Sequence, residues 1–169
     1  MIPLPTLNDL SRDAFVTLLA EVYEHSPWVP EAAFDRGPFA ARADLHAAME
    51  AVVAGADRPR QLALLRAHPE LAGRAAQQGE LTAHSTREQA GSGLLSGPSP
   101  EVARLQALNR AYAERFGFPF IIAVRGLDRD AILARLEQRL GNPPETERDE
   151  ALLQVGRIAG LRLEALVAD

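Results

Sequence analysis

Neither cysteine nor lysine occurs in this chain of 169 residues. Without cysteine there is no disulfide, no thiolate nucleophile and no thiolate metal site. Without lysine there is no Schiff base to a carbonyl substrate or pyridoxal phosphate, and no carrier of biotin or lipoate; all 18 basic residues are arginine. Acidic residues outnumber them at 23, for a net charge of −5, so the concentrated basic surface that nucleic acid requires is not expected. No apolar run approaches the roughly 18 residues that span a bilayer. The opening Met-Ile-Pro-Leu-Pro-Thr lacks the basic and apolar regions of a signal peptide, and the closing Leu-Val-Ala-Asp carries no peroxisomal or lipidation signal. The expected location is the cytoplasm. Imidazole is also scarce: His25, His46, His68 and His84 are the full set, and none pairs with another at the i,i+3 or i,i+4 spacing of a helical metal site. The expected chemistry is that of ordinary acids, bases and hydrogen-bond donors.

Hydrophobic residues make up 47% and charged residues 24%, which suits a soluble globule large enough to bury a core, expected here as one domain over 1–169. Apolar residues recur at a period near 3.6 almost throughout. Phe15, Leu18, Leu19 and Val22 form one stripe behind a cap at Ser11; Leu45, Met49, Val52 and Val53 form the next, and Leu62 with Leu65 a third. Val102, Leu105, Leu108, Tyr112 and Phe116 follow Ser99-Pro100 and stop at Gly117. Ile132, Leu133, Leu136 and Leu140 run from Asp128 to Gly141, and a last stripe links Leu152, Val155, Ile158, Leu161, Leu163 and Leu166. Such stripes predict an all-α, single-domain helical bundle of about eight helices. Glu24-His-Ser-Pro-Trp28, Arg36-Gly-Pro-Phe39, Gly91-Ser-Gly-Leu-Leu-Ser-Gly-Pro98 and Asn142-Pro-Pro-Glu145 read as the turns between them.

One segment breaks the helical pattern. Phe116-Gly-Phe-Pro-Phe-Ile-Ile-Ala-Val-Arg-Gly126 mixes proline, aromatics and β-branched residues between glycines, and reads as extended and apolar. No second strand is evident to pair with it, so its backbone N–H groups need other partners. It is either a buried connector satisfied by neighbouring loops or the lining of a pocket that holds a carbonyl or an oxyanion.

Four groups carry candidate chemistry. Pro69 disfavours helix at His68, so His68 is expected to end the helix of Gln61–Ala67, where the dipole's negative end favours imidazolium and raises its pKa. That describes either a surface cap or a proton donor poised near neutral pH. Ser85-Thr-Arg-Glu88 is a capping box, and its helix N-terminus is equally an anion site that Glu88 and Gln89 would flank. Arg157 and Arg162 adjoin the apolar face of the last helix. They either snorkel to water, pair with a carboxylate or meet an anionic substrate. Gly156 and Gly160 on that helix are expected to allow close packing. A histidine acid, a carboxylate, an amide, an arginine and a strip of backbone donors suit a small polar anion, which spacing alone does not name.

In sequence order, Leu7-Asn8, Tyr23-Glu-His-Ser-Pro-Trp28, Arg66-Ala-His-Pro-Glu-Leu-Ala-Gly73, Ser85-Thr-Arg-Glu-Gln89, Leu108-Asn109 with Tyr112, Phe116-Gly-Phe-Pro-Phe-Ile-Ile122, and Arg139-Leu-Gly-Asn142 with Leu161-Arg162-Leu163 resemble the 2-oxo-4-hydroxy-4-carboxy-5-ureidoimidazoline (OHCU) decarboxylase family over nearly the whole chain. The resemblance implies an all-helical fold, a homodimer, and a reaction needing neither metal nor organic cofactor that converts OHCU to (S)-allantoin in urate breakdown. It places the catalytic histidine on His68 with Pro69 against the substrate, the substrate site on Ser85, Glu88 and Gln89, and the backbone donors on Phe120, Ile121, Ile122, Ala123 and Val124. The family's C-terminal arginine falls on Arg162, which with His68 and Glu88 makes the expected catalytic set; Arg157 ranks lower. Gly91-Ser-Gly-Leu94 departs from the usual alanine-rich version. The rival readings of such a pocket are a ureide hydrolase of the allantoin type and a non-catalytic binder of a small anionic ureide; the residues taken alone reach only a cofactor-free enzyme or binder of a small anion.

Overall fold

The structure, a computed structural model, describes residues 1–71 and 100–169. Among them are eight helices and one very small sheet: β1 (Ile2–Pro3), α1 (Leu4–Asn8), α2 (Arg12–Leu19), α3 (Trp28–Phe34), α4 (Arg42–Ala54), α5 (Arg58–Ala67), α6 (Pro100–Phe116), α7 (Arg129–Leu140), α8 (Pro144–Leu166) and β2 (Val167–Ala168). The all-α expectation holds. The chain divides into two compact units, Met1–Ala67 with Gly156–Asp169 and His68–Val155, and α8 runs without a break from the second into the first.

In the first unit, Ser11 caps α2 by accepting from the Ala14 N–H, and Phe15, Leu19 and Val22 are buried as their spacing requires. Phe15 meets Phe34 edge-on at 5.3 Å and stacks on Phe39 at 6.4 Å. Asn8 fixes that last ring's backbone from both sides, its Nδ2 donating to the Phe39 carbonyl at 2.9 Å and its Oδ1 accepting from the Phe39 N–H at 3.0 Å. Along α4, Leu45, Met49 and Val53 are buried. On α5 the buried pair is Leu64 with Leu65, while Leu62 is half-exposed, so the inward stripe is rotated from the expected one. Each fully buried side chain of this size contributes about 1.5–3 kcal/mol relative to exposure. The short helices α1 and α3 were not expected from periodicity, being too brief to show one. Nor was the sheet, in which Ile2 pairs with Val167 and Pro3 with Ala168 in parallel.

In the second unit, α6 ends at Phe116 and Gly117 follows at φ 78°, a left-handed position that glycine takes without a Cβ penalty. Asp128 caps α7 by accepting from the Ala131 N–H at 2.8 Å, and Gly141 closes it. Tyr112 gathers Phe116, Phe118 and Phe120 at 4.7, 6.0 and 5.3 Å between ring centroids. Among the described residues no helix is long and apolar enough to cross a membrane.

Candidate active site

Helix α5 ends at Ala67, and His68 follows at once, as the proline after it requires. His68 is 7% exposed and Pro69 half-buried, so this histidine is not a surface cap. The segment continues to Leu71, whose carbonyl accepts from Asn109 Nδ2 at 2.8 Å. Asn109 is itself buried, and its Oδ1 has no hydrogen-bond partner among the described residues. A helix side chain thus ties down the stretch that carries the imidazole.

Residues 119–124 form neither helix nor strand, and Phe120, Ile121, Ile122 and Val124 are buried with Ala123 half-buried. The backbone question raised by the sequence has a specific answer. The Ile121 carbonyl accepts from Arg139 Nη1 at 2.7 Å, and the Ala123 N–H donates to Gln154 Oε1 at 3.0 Å. Ala123's amide is therefore spent inside the protein. Among the described residues the amides of Phe120, Ile121, Ile122 and Val124 meet no acceptor.

Arg139 is held on every side. Its Nε and Nη2 donate to Glu147 Oε1 at 2.8 and 2.6 Å, and its guanidinium lies 4.7 Å over the Phe120 ring. Glu147 also accepts from the Tyr112 hydroxyl and, on its other oxygen, from Asn142 Nδ2 at 2.7 Å. Arg139 is 6% exposed and Glu147 0%. Burial, and then the hydrogen bond to Glu147, push the Tyr112 phenol well above its usual pKa. Gln154, 2% exposed, donates its Nε2 to Glu150 Oε1 at 2.8 Å, which orients the amide so that its oxygen faces Ala123. None of these roles was read from the sequence. A signal was present, since Arg139 follows Ile132 and Leu136 at i+7 and i+3 and so falls on the inward face of α7.

Arg162 belongs to the first unit. It is 3% exposed, with Nη1 2.8 Å from Glu24 Oε2 and donating to the Glu21 carbonyl at 2.9 Å. Of the alternatives open to an arginine on an apolar face, a carboxylate has been found; Arg157, by contrast, is exposed. Glu24 reaches inward because the next residue, His25, adopts φ 48°, which turns the chain so that Glu24 and Ser26 are both buried while His25 stays exposed. Ser85, Glu88 and Gln89 lie outside the described residues. Among the described residues no group of three or more His, Asp or Glu side chains is arranged to hold a metal.

Buried polar groups on a helical scaffold, with a backbone strip free of regular structure, define a class: a small all-helical protein. The family model for OHCU decarboxylase matches residues 8–164. A 2-oxo-4-hydroxy-4-carboxy-5-ureidoimidazoline decarboxylase of Haloferax volcanii is 44% identical over 160 residues, 95% of this chain and 93% of that protein. The crystal structure of an (S)-allantoin synthase is similar at TM-score 0.80 and 31% identity, covering 98% of this chain and 54% of that one. A crystal structure of OHCU decarboxylase in the presence of (S)-allantoin shares the fold at TM-score 0.67 and 20% identity, over 86% of this chain and 94% of that one. The chain belongs to the OHCU decarboxylase family.

Proposed function

We propose that residues 1–169 act as one catalytic domain, a carboxy-lyase that decarboxylates OHCU to (S)-allantoin in urate breakdown. The observation that carries this reading is the family match across residues 8–164, and the burial of His68, Arg162 and the Phe120–Val124 strip fits it. The reaction breaks the bond between a ring carbon and its carboxylate. CO2 leaves, and the electron pair forms a double bond to the neighbouring ureido-bearing carbon while that carbon's C=N electrons move onto the ring nitrogen, leaving an enol where the carboxylate was. The enol hydroxyl then gives up its proton as the C=O forms, the ring nitrogen keeps a proton, and a proton adds to the ureido-bearing carbon, which becomes the stereocentre of allantoin. The substrate is its own electron sink, which agrees with a reaction that uses neither metal nor organic cofactor.

In this reading the amides of Phe120, Ile121, Ile122 and Val124 and the guanidinium of Arg162 hold ring oxygens and stabilise the developing charge. Each such donor contributes about 2.7–4 kcal/mol to lowering the barrier. Ser85, Glu88 and Gln89 orient the ureido and ring N–H groups, and Pro69 packs against the ring. His68 manages the proton, by delivering it to one face of the ureido-bearing carbon or by first acting as base on the ring hydroxyl; general acid or base help of this kind gives about 10²–10⁴-fold. Delivery to one face fixes the S product. The family resemblance extends the proposal to a homodimer acting in the cytoplasm.

The test is circular dichroism of allantoin formed from freshly oxidised urate, with CO2 and ammonia measured in parallel. The protein should speed the appearance of (S)-allantoin and release CO2 without ammonia. His68→Asn should fold normally and lose most of the acceleration. Wild-type turnover in that variant would remove His68 from the mechanism, and ammonia release would make the protein a ureide hydrolase.

A further inference from the structure

Two side chains grip the strip on either side of Ile122, and neither uses Ile122 itself. Arg139 holds the Ile121 carbonyl at 2.7 Å and Gln154 holds the Ala123 N–H at 3.0 Å. Both intervening peptide bonds are trans, since the cis bond among the described residues is Gly37–Pro38. In a planar trans peptide the C=O and N–H point in opposite directions. The Arg139 bond therefore turns the Ile122 N–H away from Arg139, and the Gln154 bond turns the Ile122 C=O away from Gln154. One residue's donor and acceptor are thus both aimed by groups that do not consume them, and among the described residues neither finds a partner.

Packing does not require this arrangement. Replacing a buried ion pair by apolar residues of similar volume is often neutral or stabilising, so a pair fixed by Tyr112, Asn142 and the Phe120 ring serves geometry better than stability. Gln154 is likewise pre-set, its amide oriented by Glu150. We infer that Arg139 and Gln154 are positioning residues that fix the Ile122 peptide groups for a ligand presenting a carbonyl beside an N–H. This rests on the function proposed above. The groups touching substrate would be backbone; Arg139 and Gln154 act through them.

Gln154 gives the cleaner test because its removal leaves no buried charge. Gln154→Met keeps the length of the side chain and loses the acceptor. It should fold, as seen by circular dichroism and urea titration, yet lower kcat by about tenfold or more, with KM changing less than about threefold. Gln154→Glu keeps an acceptor but sets two carboxylates against each other. A shared proton restores both hydrogen bonds, so its activity relative to wild type should rise as the pH falls. That recovery, taken per folded protein from circular dichroism at each pH, is read whether or not Gln154→Met folds, and a role in stability alone would not produce it. Wild-type kcat in folded Gln154→Met, a loss confined to KM, or a relative activity of Gln154→Glu flat with pH would each overturn the clamp alone. A wild-type protein that does not speed OHCU decay would overturn the proposed function and this inference with it.

Discussion

Tyr23 carries a hydroxyl that folding hides without a hydrogen-bond partner among the described residues. Burial, with the charge of Glu50 adding to it, pushes its pKa well up, and Tyr112 is shifted the same way by burial and by Glu147. These are the two tyrosines of the chain, which has no lysine or cysteine, so they are the only side chains that titrate near pH 10. The sign follows from linkage. A phenol whose pKa is raised by folding contributes fully below its unfolded value, and stability falls once the pH passes about 10, because the unfolded chain then releases the proton first. Each tyrosine contributes a slope of about 1.4 kcal/mol per pH unit. Urea titrations above pH 10 should therefore show a slope of about 2.7 kcal/mol per unit for the wild type and about half that for Tyr23→Phe. The same variant should gain about 1 kcal/mol at pH 7, since an unsatisfied buried hydroxyl costs about 1–3 kcal/mol. Equal alkaline slopes in the two proteins would mean that Tyr23 is solvated in solution.

Helix pairing in the first unit turns on two glycines one turn apart. Gly156 and Gly160 on α8 face Glu50 and His46 on α4, which are also four residues apart, and the His46 Nε2 lies 2.9 Å from the Gly156 carbonyl. The two sites differ in what an added methyl meets. At Gly156 it would come within 2.6 Å of Glu50 Oε1, the end of a side chain 46% exposed that swings into solvent. At Gly160 it would lie 3.0 Å from Cε1 of the His46 ring, which is pinned by its bond to the helix backbone. Gly156→Ala should accordingly keep most of the helix-propensity gain of about 1 kcal/mol, whereas Gly160→Ala should lose it and destabilise. Thermal melts of the two variants decide it, and the opposite order would mean that Glu50 is fixed and His46 is free. The spacing of these glycines was legible as a close-packing face. So were the caps at Ser11 and Asp128 and the stops at Gly117 and Gly141, because each depends on local chemistry. What the sequence left open was which partner each buried polar group finds. Arg139 chooses Glu147 on the next helix, and Arg162 chooses Glu24 from far along the chain; both choices demanded a fold to see.

Across the whole chain, the all-helical class follows from periodicity, while the closure of the chain's two ends does not. Strands of two residues leave no period to read, so nothing in Ile2–Pro3 or Val167–Ala168 announced a parallel pairing. Its stability has two candidate sources. Val167 is fully buried, and its carbonyl accepts from Arg42 Nη1 at 2.9 Å; Arg42 Nη2 also lies 3.5 Å from the carboxylate of Asp169, in an ion pair whose side chains are 29% and 56% exposed. Exposed pairs are worth about 0–1 kcal/mol. Removing two buried carbons from Val167 forfeits about 0.8 kcal/mol each and leaves a cavity as well. Val167→Ala should thus cost about 2–3 kcal/mol and Arg42→Ala under about 1 kcal/mol in urea unfolding. The contrast should persist in high salt, which screens the ion pair and leaves apolar burial intact. If Arg42→Ala proved the costlier change, the ends would be held by charge and hydrogen bonding, and the ladder would be a consequence of that closure instead of its apolar anchor.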